Sequence, residues 1–316
     1  MQPHAKPGFD YTVQPADELK RLKQHRNHRG VPKRTDENVL VATWNLTNFG
    51  AQHREPVHFK LMADIIKPFD VVAVQEIAER LDHVKALMAE LGSGWEIIFS
   101  DPAGNDERLA YIFRKRRVSP TGLAAELAMR GYERGRILIE GIDPVEQPFE
   151  GFNRNPYIVS FQAGDFSFCL VNVHLYWSNY GIRRLETTAL GRWAKSRLDK
   201  PGPPHGDIIL LGDFNMPGLG PGDELYELLS GHGLTVPKYN TELVGSNLAG
   251  DKHYDEVAFF PSRTGEDFTD RMGVFDFDKV LFPDLYQENE TGFFQYVRYY
   301  VADHRPLWVE FRRKAA

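Results

Sequence analysis

From Val39 onward, short apolar runs alternate with stretches of helical period. Val39-Leu40-Val41-Ala42-Thr43-Trp44 and Val71-Val72-Ala73-Val74 read as strands. Between them a helix is predicted near Val57 to Ile66, where Leu61, Met62, Ile65 and Ile66 share one face and Pro68 ends the pattern. A second helix carries Leu81, Val84, Leu87, Met88 and Leu91 on one side, with Gly92 as its C-cap. Strand-like runs return at Trp95 to Phe99 and Leu109 to Phe113. Tyr157 to Gln162, the turn Ala163-Gly164-Asp165, and Phe166 to Val173 form a hairpin pattern. Further strands are predicted at Ile208 to Leu211, Glu256 to Phe260 and Leu307 to Phe311, with helices from Arg183 to Leu198 and, shorter, after Asp223. Strands that come both as hairpins and as helix-separated units imply a mixed sheet.

The first 37 residues break this pattern: they mix charges with prolines and show little apolar periodicity. They are read as a partly flexible N-terminal arm (1–37), followed by one catalytic domain (38–316). The basic cluster from Lys20 to Arg34 fits either contact with phosphates or a solvated, partly helical extension. With 42% apolar residues and no run near the roughly 18 needed for a span, the chain can bury a sizeable core and is expected to have no membrane span. No apolar signal region stands near Met1, and the single cysteine, Cys169, lies in an apolar run. A cytoplasmic protein without a disulfide framework is the expectation. The formal charge of −6 argues against a generally cationic nucleic-acid binder, but not against a site that depends on a local metal and a few arginines.

The candidate chemistry lies where the apolar strands end. Asn45 follows the first strand, Glu76 the second, His174 the hairpin strand, and Asp213 with Asn215 the run Ile208 to Leu211. Tyr254-Asp255 and Asp303-His304 stand beside two more strands. Any one of these could be a turn residue, yet together they form a set of hard-oxygen ligands and acid/base groups. Such a set suits Mg²⁺ and phosphoryl chemistry rather than structural zinc.

The ordered segments Thr43-Trp44-Asn45-Leu46, Val74-Gln75-Glu76-Ile77, Glu107-Arg108-Leu109-Ala110-Tyr111, Asn172-Val173-His174-Leu175, Gly212-Asp213-Phe214-Asn215, Tyr254-Asp255 and Asp303-His304-Arg305-Pro306 resemble the endonuclease/exonuclease/phosphatase superfamily, in particular its deoxyribonuclease I-like branch. The resemblance spans residues 39 to 311. It implies a four-layer α/β/β/α sandwich of two mixed sheets with an active site at one edge. It also implies a metal site of Glu76, Asn45 and Asp303, taking Mg²⁺ with Mn²⁺ as a substitute. Asp213 would accept the proton of the attacking water, and Asn215 would contact the phosphate. His304, oriented by Asp255, would stabilise the transition state, while His174, partnered by Glu107, would protonate the leaving oxygen. Arg154 resembles the branch's phosphate-contacting arginine.

The match departs from the branch in two places. Ala78 stands where deoxyribonuclease I has a minor-groove arginine, which argues against minor-groove reading. The stretch from Pro261 to Val301 is long and holds Phe293, Phe294, Tyr296, Tyr299 and Tyr300, suited either to stacking on bases or to burial. The leading expectation is a metal-dependent nuclease acting on DNA or RNA. A phosphatase or phospholipase-like hydrolase of a small or lipid phosphate is the alternative within the same chemistry. A non-catalytic module is disfavoured because Glu76, Asp213, Asn215 and His304 are all present.

Overall fold

A computed structural model describes residues 1–137, 149–198, 207–218 and 220–313. Eleven strands are assigned among them: β1 Asn38–Phe49, β2 Val71–Ala78, β3 Trp95–Phe99, β4 Glu107–Arg114, β5 Ser119–Glu126, β6 Tyr157–Ala163, β7 Phe166–His174, β8 Asp207–Asp213, β9 Asp255–Phe259, β10 Phe268–Val274 and β11 Leu307–Arg312. Their side chains alternate between faces, as the two-residue strand period requires. In β1, Val39 and Val41 join one apolar cluster, whereas Leu40, Ala42 and Trp44 join another. In β8, Ile209 and Leu211 share the first cluster, whereas Ile208 and Leu210 enter a third. The cluster common to β1 and β8 therefore lies between two sheets, and the other two lie under helices.

The sheets have orders β10-β11-β1-β2-β4-β3 and β5-β6-β7-β8-β9. Pairs β1–β2 and β7–β8 are parallel, and the remaining pairs are antiparallel. Helices α1 (Pro15–His28), α2 (Pro56–Ile66), α3 (Asp82–Leu91), α4 (Gly131–Arg134), α5 (Tyr180–Leu198), α6 (Glu224–Ser230), α7 (Pro261–Thr264), α8 (Pro283–Glu288) and α9 (Glu290–Tyr300) follow in chain order. α2, α3 and α9 bury apolar faces on the six-stranded sheet, and α5 and α6 do so on the five-stranded one. The result is the expected four-layer α/β/β/α sandwich of two mixed sheets. Among the described residues no helix is long and apolar enough to cross a membrane.

A polar chain ties the sheets together inside this apolar layer. Gln75 of β2 donates to Thr43 Oγ1 at 3.0 Å and to Asn172 Oδ1 of β7 at 2.6 Å. Asn172 in turn donates to the carbonyls of Val74 and Ala110 at 3.1 and 3.0 Å. Buried amide N–H groups paired in this way fix one register of sheet on sheet, since a slip would leave them without partners.

The first 37 residues run against the body of the domain. Leu22 of α1 is fully buried in the helix-side core, and the Glu18 carboxylate accepts the Phe282 N–H at 3.1 Å. The basic cluster is largely engaged: Arg26 bonds Asp64 at 2.7 Å, and Arg29 pairs with Glu242 at 2.9 Å and Asp276 at 3.0 Å. The aromatics of α9 are also spoken for. Phe293, Tyr296, Tyr299 and Tyr300 are buried in the core, so of the two accounts of this segment burial holds for these four rings, and none is presented to a base.

Candidate active site

At one edge of the sandwich several strand ends carry the polar residues singled out by the sequence. The β1–β2 ladder loses register after Asn45 and the β2–β4 ladder after Val74, which turns Glu76 out of the sheet. Glu76 takes φ +60°, and Thr47 and Asn48 take +50° and +49°. Each such conformation costs a non-glycine residue roughly 1–3 kcal/mol, strain typical of functional sites. The surrounding hydrogen bonds hold the conformation: the Asn48 N–H donates to Glu76 Oε2 at 2.7 Å, and Asn45 Nδ2 donates to Glu76 Oε1 at 3.0 Å. Asn45 Nδ2 also reaches Asp213 Oδ2 at 3.1 Å, while its Oδ1 accepts the Thr47 N–H at 3.0 Å. The Thr47 hydroxyl donates to Asp303 Oδ1 at 2.6 Å. One short piece of β1 thus links Glu76, Asp213 and Asp303.

His174 and Asp213 are register partners on β7 and β8, and Asp213 and Asp255 are partners on β8 and β9. The close approach of β7 and β8 depends on Gly212, at φ +142°. A Cβ there would lie 2.1 Å from the Val173 carbonyl oxygen, so no other residue fits. Asp213 Oδ2 then stands 3.5 Å from His174 Nε2 and 3.7 Å from His304 Nε2. Each imidazole is held from behind: His174 Nδ1 by Glu107 Oε1 at 2.5 Å, His304 Nδ1 by Asp255 Oδ2 at 2.7 Å. Asn215, at φ +51°, donates its backbone N–H to Asp213 Oδ1 at 2.8 Å and its side-chain amide to the Leu175 carbonyl at 2.9 Å. Arg154 pairs with Glu107 at 2.8 Å.

The charges follow from this geometry. Burial opposes a charge on His174, as does the Arg154 guanidinium, but the charge and hydrogen bond of Glu107 together with the charge of Asp213 prevail, and the pKa is raised above the ordinary histidine value. Burial works against His304 as well, and there Asp255, Asp213 and Asp303 together raise the pKa well above that value. Burial pushes the Asp255 carboxyl up, opposed by His304; the proton of that pair sits on the imidazole, which faces two further carboxylates. Glu107 is held below the usual carboxylate range: its burial would raise it, but His174 and Arg154 prevail. Asp303 is likewise depressed, its burial outweighed by His4, His304 and the Thr47 hydroxyl.

A cavity of about 720 Å³ opens over this array, lined by Glu76, Arg154, His174, Asp213, Asn215, Asp303 and His304. Asn45, Glu107 and Asp255 stand directly behind those groups. The structure therefore brings together all ten residues singled out by the sequence. Thr47 and Asn48 also belong to the site, and neither carries a signal in sequence, because their parts are played by a hydroxyl and an amide in an irregular strand end. Arg305 is fully buried, bonding Asp278 through two nitrogens at 2.6 Å and the carbonyls of Gly245 and Leu248 at 3.1 Å. With the Trp44 indole donating to the His304 carbonyl at 2.8 Å, it fixes the backbone that carries His304. Trp177, Tyr254 and the N-terminal residues Gln2, Pro3 and His4 complete the lining.

The donor chemistry fits Mg²⁺. Among the described residues no group of three or more histidine, cysteine, aspartate or glutamate side chains is placed to hold a metal ion by itself. What Glu76 offers is a carboxylate with hard oxygens at a roomy cavity, beside the Asn45 amide. Mg²⁺ characteristically binds through one or two carboxylates, keeping several waters and taking substrate phosphate oxygens.

No family model matches the chain, and no curated protein does. Solved structures do. An endonuclease/exonuclease/phosphatase family protein from Bacteroides thetaiotaomicron aligns with a TM-score of 0.57 at 16% identity, over 88% of this chain and 99% of its own. A mannosyl-6-phosphatase from the same organism aligns at 0.54 and 17%, over 86% and 99%. D. rerio TDP2, solved with a single-strand DNA product, aligns at 0.55 and 14%, over 87% and 98%. The fold of this chain is that of the endonuclease/exonuclease/phosphatase superfamily, and at these identities the likeness is one of fold.

Proposed function

We propose that the protein is a Mg²⁺-dependent hydrolase of phosphate esters, and specifically a phosphodiesterase acting on nucleic acid. The observation that carries this reading is one carboxylate, Asp213, set between two imidazoles that are each backed by a buried acid. Phosphodiester hydrolysis needs a base for water, positive charge for the developing phosphorane-like oxygens, and an acid for the leaving alkoxide. Asp213 accepts the water's proton, and Asn215 fixes the carboxylate and contacts phosphate. His304, its Nδ1–H held by Asp255, supplies its Nε2–H to a phosphate oxygen, and its raised pKa favours the charged form. His174, charged by Glu107, gives its proton to the leaving oxygen. Arg154 adds charge on the same side. Glu76 and Asn45, with Asp303 nearby, would hold Mg²⁺, for which Mn²⁺ can substitute; when bound the ion neutralises charge on the phosphate.

A second reading keeps the site and changes the substrate to a small or lipid phosphate. It draws support from the net charge of −6, from Ala78 where the minor-groove arginine is expected, and from the fold shared with a mannosyl-6-phosphatase. The two readings separate in one assay of plasmid DNA, structured RNA, bis(p-nitrophenyl) phosphate and p-nitrophenyl phosphate with wild type and His304→Ala. Cleavage of nucleic acid and the synthetic diester by wild type alone supports the nuclease. Hydrolysis confined to the monoester sinks it.

A further inference from the structure

The substrate cavity is bounded on one side by the protein's own N-terminal segment. The Met1 nitrogen donates to the Asn105 carbonyl at 2.7 Å, and Asn105 is hydrogen-bonded to Glu107, behind His174. Three residues on, the His4 N–H donates to Gln52 Oε1 at 2.7 Å, and His4 Nε2 lies 3.4 Å from Asp303 Oδ2. Residues 1–4 thus run from the leaving-group side of the site to the side of Asp303, and Gln2, Pro3 and His4 line the cavity between. The segment is stiffened by Pro3 and Pro7 and anchored downstream. Pro7 is buried, Phe9 stacks with Tyr296 at 6.4 Å between centroids, and Tyr11 meets Phe282 and Tyr296 edge-on at 5.6 and 5.4 Å.

We propose that this strap makes the enzyme end-directed, so that its substrate is the terminal phosphodiester of a nucleic-acid single strand, not an internal bond of a duplex or closed strand. The inference rests on the phosphodiesterase reading above. An internal phosphate can reach His174 and His304 only if the strand continues out of the site in both directions, and the strap occupies one of those directions. Charge agrees: duplex tracking needs a row of unpaired lysines and arginines. The residues lining this cavity include no lysine, and their one arginine, Arg154, is paired with Glu107; the other positive groups, His174 and His304, are confined to the reacting centre beside Glu76, Asp213 and Asp303 and form no row along a strand. Trp177 lines the same cavity with 64% of its surface exposed, its carbonyl held by Arg183 at 3.0 Å. An indole so placed gives the terminal base a face to stack on.

The test compares a linear single-stranded oligonucleotide with the same sequence closed into a circle. The substrates are given with Mg²⁺ to wild type, to a deletion of residues 1–5, and to the full-length Pro3→Gly/His4→Ala variant. Bis(p-nitrophenyl) phosphate reports the integrity of the site in each. Wild type is expected to cut the linear strand at least about tenfold faster than the circle, and both variants to narrow that ratio several-fold; because His4 faces Asp303, each variant's two rates are compared with each other and with its own rate on the synthetic diester. Trp177→Ala is expected to raise KM for the linear strand with kcat little changed. Equal rates on line and circle with wild type, or a ratio that neither strap variant alters, overturn the proposal and leave the phosphodiesterase reading standing. Failure of wild type to hydrolyse any diester overturns both.

Discussion

The two histidines of the site are built alike and surrounded differently. Each presents Nε2 to Asp213 and has its Nδ1 held by a buried carboxylate, and in each pair acid and imidazole belong to opposite sheets or their connections. Yet Glu107 is shared among His174, Arg154 and Asn105, so its hold on His174 is diluted by a neighbouring guanidinium. His304 faces Asp255, Asp213 and Asp303 with no cation among the causes of its shift. The pKa of His304 is raised further than that of His174, which under the proposed mechanism suits His304 to stabilise charge and His174 to give up a proton. A third histidine shows burial without an acid partner, where enclosure, Arg54 and His53 all push the pKa down. His58 has no carboxylate against its ring; it accepts the Glu55 N–H at 3.1 Å and lies 2.9 Å from the Tyr296 hydroxyl, and its pKa is pushed down to about 3. The acid partner, not enclosure, makes the difference.

Removing each partner sharpens or breaks this contrast. His304→Ala takes away the transition-state cation and leaves Asp255 and Asp213 facing each other uncompensated. The expected loss in kcat is about 10³-fold for every substrate, whatever its leaving group. A loss that tracks leaving-group basicity would give His304 the acid's role instead. His174→Ala is expected to cost on the order of 10²-fold with an alkoxide leaving group and far less with p-nitrophenolate, which needs no proton. Equal losses on the two substrates would remove the acid assignment. Glu107→Gln takes away the main influence holding the His174 pKa up, so protonated His174 is lost at lower pH. The alkaline limb of the kcat/KM profile should move toward acid, with roughly a tenfold fall in rate at the old optimum; an unmoved limb would contradict the pairing.

The smallest effect on rate belongs to His58. Its folded pKa lies below its unfolded value of about 6.5, so folding requires the neutral ring. The stability that this form contributes is intact above pH 6.5 and is lost as pH falls toward 3. His58→Gln should flatten the acid side of a Tm-against-pH curve while leaving activity nearly unchanged. An unaltered acid limb would mean that other groups dominate it.

The strands and helices with strong apolar period were legible in the chain, and so was the gathering of Asn45, Glu76, His174, Asp213 and Asn215, because polar side chains at strand ends stand out against apolar runs; Glu107 and Arg154 were marked only by the family resemblance. What escaped is equally physical. β5 begins Ser119-Pro120-Thr121-Gly122 and is largely exposed at a sheet edge, so it carries no alternation. β10 interrupts its pattern with Asp270 and Arg271, and Asp270 takes φ +60°. α1 is polar apart from a narrow face around Leu22, and its attachment rests on ion pairs to residues far along the chain. Thr47, Asn48 and the strap from Gln2 to His4 act through backbone groups or through position, which residue type does not encode.

The most direct test of the account is single-strand hydrolysis by wild type and Glu76→Gln with Mg²⁺ titrated against EDTA. Wild-type activity is expected to appear with Mg²⁺, vanish with EDTA and return on adding Mg²⁺ or Mn²⁺. Glu76→Gln, folded to the same Tm, is expected to need far more metal and to remain slow at saturation. Hydrolysis that survives EDTA, or a Glu76→Gln variant as active as wild type at the same Mg²⁺, would contradict it.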